Sequence, residues 1–182
     1  LRPRLPIAGT QFLDISTAAL DKLSQAGGHV TCGSAAELPF ERGAFDLVCA
    51  LDVIEHLEDD DRVLAELSRV AAGGAAVLIA TPLHPEKWIA FDDFVGHCRR
   101  YRPAELIDKL AAVGLIVEQS AGYGMQPKSS KLLDWGIWWL KNHPERAIWW
   151  YNHLIMPLAR KFEKELALQP GLIDLENVDE VL

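Results

Sequence analysis

Short apolar runs alternate with helical patterns along the first two-thirds of the chain. Thr10 to Leu13 reads as a short strand, and Ser16 is placed to cap a helix from Thr17 to about Gln25 that stops at Gly27-Gly28. His29 to Cys32 reads as a second strand. Phe45 to Leu51 (FDLVCAL) is nearly continuous in apolar residues, the pattern of a strand buried on both faces. A helix opens on Glu58, Asp59, Asp60 and Asp61, an acidic first turn suited to the helix dipole. It carries Val63, Leu64, Leu67 and Val70 at helical spacing and stops at Gly73-Gly74. Ala75 to Ala80 is the next buried strand. Pro103 suits the first position of a helix whose inner face holds Leu106, Ile107 and Leu110 and which closes at Gly114. Leu115 to Ser120 is a further strand. This order predicts an α/β fold, a mostly parallel sheet flanked by helices. In such sheets ligands bind at the carboxyl ends of the strands, which directs attention to Asp14, Ser34, Leu51-Asp52 and Thr81-Pro82.

The pattern changes after Tyr123. Residues 128–168 read as helical and hold five of the six tryptophans, Trp135, Trp138, Trp139, Trp149 and Trp150. This stretch has seven Lys or Arg against four Asp or Glu, in a chain of net charge −8. The expected organisation is a core over 1–124, a tryptophan-rich helical cap over 125–170 and a tail over 171–182, where Val178 to Leu182 starts a last strand.

With 182 residues the chain has room for one α/β domain. Its acidic balance argues against nucleic acid as the main partner, because phosphate binding needs a basic surface. Cys32, Cys49 and Cys98 are scattered and odd in number, a usage that fits a reducing cytoplasm. The first residues lack the apolar region of a signal peptide, and no apolar run reaches the length of a transmembrane helix.

Four blocks occur in order: FLDIS (12–16); GSAAELPF (33–40) followed by FDLVCALDVIEHL (45–57); VLIATP (77–82); and GHCRRYRPAEL (96–106). Together they resemble class I, Rossmann-like S-adenosylmethionine-dependent methyltransferases, in particular the broad small-molecule group. The resemblance covers about Gly9 to Ser120. It implies methyl transfer from S-adenosylmethionine to a small-molecule or lipid-like acceptor. A non-catalytic Rossmann-like binding module and a nicotinamide enzyme are the other classes that this alternation of elements admits; the D-x-x-E-H and GHxRRY blocks argue against the second.

The resemblance implies a cofactor site at Asp14, Ile15, Ser34, Ala35 and Leu51. Asp14 matches an acid that accepts both ribose hydroxyls, work for which two carboxylate oxygens are suited; its other reading is an Asp-Ile-Ser turn that starts a helix. Ser34 stands where the family usually has Asp facing the adenine amino group, and its shorter neutral hydroxyl makes a weaker contact. Ala35 would offer its backbone N–H to the adenine ring. Asp52, Glu55 and His56 form D-x-x-E-H. His56 is the candidate general base for a hydroxyl acceptor; a structural turn and a divalent metal on Asp52, Glu55 and His56 are alternatives, and no metal is assigned from the sequence. His84, His97 and Arg100 are the candidate substrate-binding residues. Arg99 and Arg100 would bind an anionic group or pair with Asp92 and Asp93 at the surface.

Two features depart from the family. No GxGxG loop occurs, although the methionine end of the cofactor needs backbone without side chains. The resemblance places that loop and the first strand before Gly9, so the sequence reads as a core trimmed at both ends. The tryptophan cap is apolar around most of its helices, which predicts a second apolar contact: a lipid-like acceptor, peripheral attachment to a membrane, or a homodimer.

Overall fold

The structure is a computed structural model describing residues 7, 9–123, 130–159, 168–171 and 180–181. Strand β1 (Gln11–Asp14) leads into helix α1 (Thr17–Gln25) and strand β2 (His29–Cys32). β1 and β2 pair in parallel, Gln11 opposite His29 through Asp14 opposite Cys32. Strand β3 (Phe45–Leu51), helix α2 (Asp60–Val70) and strand β4 (Ala71–Pro82) form a second parallel unit, with Leu47 opposite Ala76 through Leu51 opposite Ala80. Helices α3 (Ala90–Val95) and α4 (Pro103–Ala112) follow, then the two-residue strands β5 (Gln119–Ser120) and β6 (Gly122–Tyr123). Helices α5 (Ser130–Asn142) and α6 (Pro144–Trp150) continue through a π-helical turn over Tyr151–Ile155 into α7 (Met156–Ala159). Strands β7 (Gln169–Pro170) and β8 (Glu180–Val181) close the order. β8 lies antiparallel between β4 and β6, giving the strand order β3-β4-β8-β6. The α/β class and the parallel pairing of the early strands are as expected.

Several local expectations need correction. Phe45–Leu51 is the strand foreseen, but it is not buried on both faces. Side chains alternate along a strand. Val48 and Ala50 face the core, whereas Leu47, Cys49 and Leu51 are exposed. Ser16 sits at the start of α1 but makes no side-chain cap; the Asp14 carboxylate instead accepts the Ser16 N–H at 2.7 Å. The acidic helix ends at Val70, not at Gly73-Gly74, and the strand that follows begins at Ala71. The register between β3 and β4 jumps where Phe45 opposes Ala71 and Leu47 opposes Ala76; Gly74 takes a φ of 81° within that irregularity, a conformation easy only for glycine. Leu115 to Glu118 is not strand; among the described residues Gln119–Ser120 pairs antiparallel to Gln169–Pro170, and the Glu118 carbonyl accepts the Gly171 N–H at 2.7 Å. The expected helical stretch over 128–168 is helical from Ser130 to Ala159; residues 124–129 and 160–167 lie outside the described residues, as do 1–6 and 172–179.

The core gathers Val48, Ala50 and Ile54, the inner face of α2 (Val63, Leu64, Leu67, Val70), Leu83, Tyr101, the α4 residues Leu106 and Leu110, and Val181. The segment after β2 packs on it through Ala35, Ala36, Leu38 and Phe40. Arg69 of α2 holds that segment in place, donating to the carbonyls of Phe40 (2.8 Å) and Leu38 (2.9 Å), while Glu66 accepts the Leu38 N–H at 2.7 Å. The turn at Ser34 is thereby anchored to the helix behind it.

Candidate active site

Three strand ends face the same problem, the disposal of the chain after a parallel strand. Asp14 is exposed at the end of β1. The Gly33 N–H donates to the Asp14 carbonyl at 3.1 Å, which brings the end of β2 beside it. Ser34 Oγ accepts the Ala36 N–H at 3.2 Å and forms a local turn. Ile15 is 78% exposed and Leu51, at the end of β3, is 43% exposed. Asp14, Ile15 and Leu51 thus leave surface open at strand ends, where ligands of such sheets bind.

Beyond β3, Asp52 takes a left-handed backbone with φ 53°, a costly conformation for a residue with a side chain, held by its N–H donating to the Ala80 carbonyl at 2.9 Å. Burial raises the Asp52 carboxyl above its ordinary value, and the neighbouring His97 and His56 pull it back in part. A short 3₁₀ turn over Ile54–His56 follows. Glu55 is fully buried beneath the end of β4, where Thr81 Oγ1 donates to its Oε2 at 3.3 Å.

The 96–101 block closes over this turn. The Cys98 N–H donates to the Glu55 carbonyl at 2.7 Å, and the His56 Nδ1 lies 3.2 Å from the Gly96 carbonyl. The His56 and His97 rings meet edge to face, with centroids 4.7 Å apart. His97 Nδ1 lies 2.8 Å from Asp92 Oδ1, and its Nε2 faces Glu55 Oε1 at 3.9 Å. Burial lowers the His97 imidazole below its ordinary value; the Asp92 hydrogen bond opposes this without cancelling it.

Asp92, foreseen only as a surface partner of Arg99 or Arg100, is the buried hub of this block. Its buried carboxylate accepts from Arg100 Nε (2.8 Å) and Nη2 (2.9 Å), from the Ile89 N–H (2.8 Å) and from His97. Burial alone would raise the Asp92 carboxyl, yet the hydrogen bonds from Arg100, Ile89 and His97 together hold it below the usual range. Arg100, expected to meet substrate, is 4% exposed, and its guanidinium fork grips Asp92. The pairing of Arg100 with Asp92 is therefore buried rather than superficial. Arg99 turns the other way, to Asp60 at 2.6 Å, and Asp93 accepts from the Trp88 indole at 3.1 Å. His84 is mostly buried, with φ 65°, its Nδ1 3.0 Å from Glu86 Oε1. A signal for Asp92 was available: an acid five positions before a His-x-x-Arg block. The structure brings His56 and His97 together beside Asp52, while Asp14, Ile15, Ser34 and Ala35 mark the ends of β1 and β2.

Residues 9–79 match the sequence family described as a methyltransferase domain. Over that stretch, less than half of the chain, the sequence is similar to S-adenosylmethionine-dependent methyltransferases. Ajmaline N-methyltransferase of Rauvolfia serpentina is 44% identical over 52 residues, 29% of this chain and 18% of that protein. A probable S-adenosylmethionine-dependent methyltransferase of Mycolicibacterium smegmatis is 34% identical over 94 residues, 50% of this chain and 36% of that protein. The matches thus span well under half the length of these curated relatives. Among solved structures, a methyltransferase of Thermotoga maritima, named a possible histamine N-methyltransferase, superposes with a TM-score of 0.62 at 15% identity, covering 94% of this chain and 70% of that one. Geranyl diphosphate C-methyltransferase of Streptomyces coelicolor, solved with Mg²⁺, geranyl diphosphate and S-adenosylhomocysteine, gives 0.56 at 16% identity, covering 63% and 47%. At these identities the structural likeness speaks for the fold.

Proposed function

We propose that this chain serves methyl transfer from S-adenosylmethionine to a small-molecule acceptor with lipid-like character. One observation carries the reading: the exposed Asp14 carboxylate stands at the end of β1, joined through the Gly33 N–H to the Ser34 turn at the end of β2. That arrangement fits the adenosine half of the cofactor. Ser16 uses Asp14 as a helix-starting turn, and a carboxylate has lone pairs enough to accept ribose hydroxyls as well. When bound, the cofactor supplies an activated methyl on a sulfonium; the protein's part is to position the acceptor and, for a hydroxyl acceptor, to take its proton. His56 and His97 stand beside the end of β3 for that second task.

Asp14→Ala should weaken binding of S-adenosylhomocysteine by about 2–3 kcal/mol, the scale of hydrogen bonds to a charged group. Titration calorimetry reads this directly. An unchanged affinity would remove Asp14 from the site.

The lipid-like character comes from α5–α7. Trp135, Trp138 and Trp149 are 59%, 55% and 54% exposed, and Trp150, Leu154, Ile155 and Leu158 are exposed beside them. Ile137 and Ala147 face inward, and Lys141 lies 5.6 Å over the Phe94 ring. The helices therefore do not simply bury one another. Among the described residues no helix is long and apolar enough to cross a membrane. Exposed tryptophans with Lys141 and Arg146 nearby suit the interfacial layer of a bilayer. We place the protein on the cytoplasmic side, at a membrane surface. It should co-sediment with vesicles containing anionic lipid, and a Trp138→Ala/Trp149→Ala double variant should lose most of that binding. A dimer in analytical ultracentrifugation with no vesicle binding would assign these tryptophans to a second copy.

A further inference from the structure

We propose that Glu55, His56 and His97 form a binding site for one divalent transition-metal ion of the zinc or iron(II) class, with coordination positions left open. One ligand atom from each residue lies within 4.8 Å of the others. Three ligands about 2.1 Å from a common metal sit roughly 3–3.5 Å apart, so the widest gap must close by roughly 1–2 Å when an ion binds. The 3.9 Å between His97 Nε2 and Glu55 Oε1 is too long for a hydrogen bond and near the spacing of two ligands on one ion.

The partners of the two imidazoles decide their tautomers. The Gly96 carbonyl can only accept, so His56 Nδ1 carries the proton facing it. Asp92, ionised by the Arg100 fork, likewise accepts from His97 Nδ1–H. Each neutral ring then has its lone pair on Nε2. A carbonyl on one histidine and a carboxylate on the other are the outer partners that orient metal-binding imidazoles. Glu55 contributes a fully buried carboxylate oriented by Thr81. Two imidazole nitrogens and one carboxylate favour zinc, iron(II) or cobalt over magnesium or calcium, which prefer oxygen. Asp52 is not one of the three; the 96–101 block supplies His97 instead.

An imidazole that holds a metal through Nε2 has no lone pair left to take a proton, so with the ion bound His56 and His97 are ligands and not the base for a hydroxyl acceptor; the inference is tested without an assay of methyl transfer. The full chain, stripped with chelator, is titrated with zinc chloride in competition with a chromophoric chelator. One equivalent should bind. His56→Ala and His97→Ala should each weaken binding at least tenfold, and Cys98→Ser should leave it unchanged. Cobalt(II) added to the unaltered protein should give a visible ligand-field band and paramagnetic shifts at the ring protons of His56 and His97, a readout that needs no variant to fold. Absence of saturable binding, affinity indifferent to both histidine substitutions, or cobalt effects confined to other residues would each overturn the site.

Discussion

Arg100→Ala should cost about 3–5 kcal/mol of folding stability, the range for removing one partner of a buried ion pair. The Arg100 side chain is 1% exposed and the Asp92 side chain 0%. Without the guanidinium, Asp92 keeps the Ile89 N–H and His97 as its donors among the described residues. Arg100→Lys should recover little, because an ammonium cannot reproduce two parallel N–H donors on one carboxylate. Urea denaturation measures the loss. A second readout separates support of His97 from plain packing. Burial is the main reason that the His97 imidazole is held low, and the Arg100 charge adds to it. Removing that charge should move the His97 titration upward in proton NMR. A variant as stable as the parent, with His97 unmoved, would mean that Asp92 and Arg100 do not act as described.

The strand ends were legible because periodicity, glycines and turn residues agreed there. Phe45–Leu51 and Pro103–Ala112 formed as the pattern required, and Asp14 and Leu51 landed at strand ends. Their burial was not legible. FDLVCAL has the composition of a doubly covered strand, but composition does not say which neighbours arrive, and Leu47 and Leu51 remain exposed. Leu115 to Glu118 misled for a related reason. A Leu-Ile-Val run reads as strand, yet among the described residues the partner of this region is Gln169–Pro170, some 50 positions away; it pairs with Gln119 and Ser120, and the neighbouring Gly171 N–H reaches the Glu118 carbonyl. Ile116 is left 86% exposed. The meeting of Glu55, His56 and His97 was the least legible feature. It depends on a backbone hydrogen bond between Cys98 and Glu55, across more than 40 positions, that no local pattern encodes. Each block was visible on its own; their contact was not.

Asp60→Ala should lose a similar amount, about 3–5 kcal/mol at neutral pH, and should also change how stability depends on acid. Asp60 is 2% exposed at the start of α2. Its carboxylate accepts from the Tyr101 hydroxyl (2.8 Å), Arg99 (2.6 Å) and Lys109 (3.2 Å), tying α2 to α4 and to the strand-like segment at Tyr101. Burial pushes the Asp60 carboxyl up, but the bonds from Tyr101 and Lys109 and the charges of Arg99 and Lys109 outweigh it and hold the group below its ordinary value. Asp92 is held low in the same way. The unfolded chain, with an aspartate near its ordinary value of about 3.9, therefore takes up protons first as pH falls. The stability these two carboxylates contribute is present above that value and is lost as pH drops from there through their lower folded values. Asp60→Ala removes one of the two groups, so its urea midpoint should fall less steeply than the parent's below about pH 5. Asp60→Asn keeps an acceptor for the Tyr101 hydroxyl and should lose less stability than Asp60→Ala while showing the same shallower acid dependence. Equal acid slopes in parent and both variants would show that Asp60 does not stay ionised in the folded protein as its partners require.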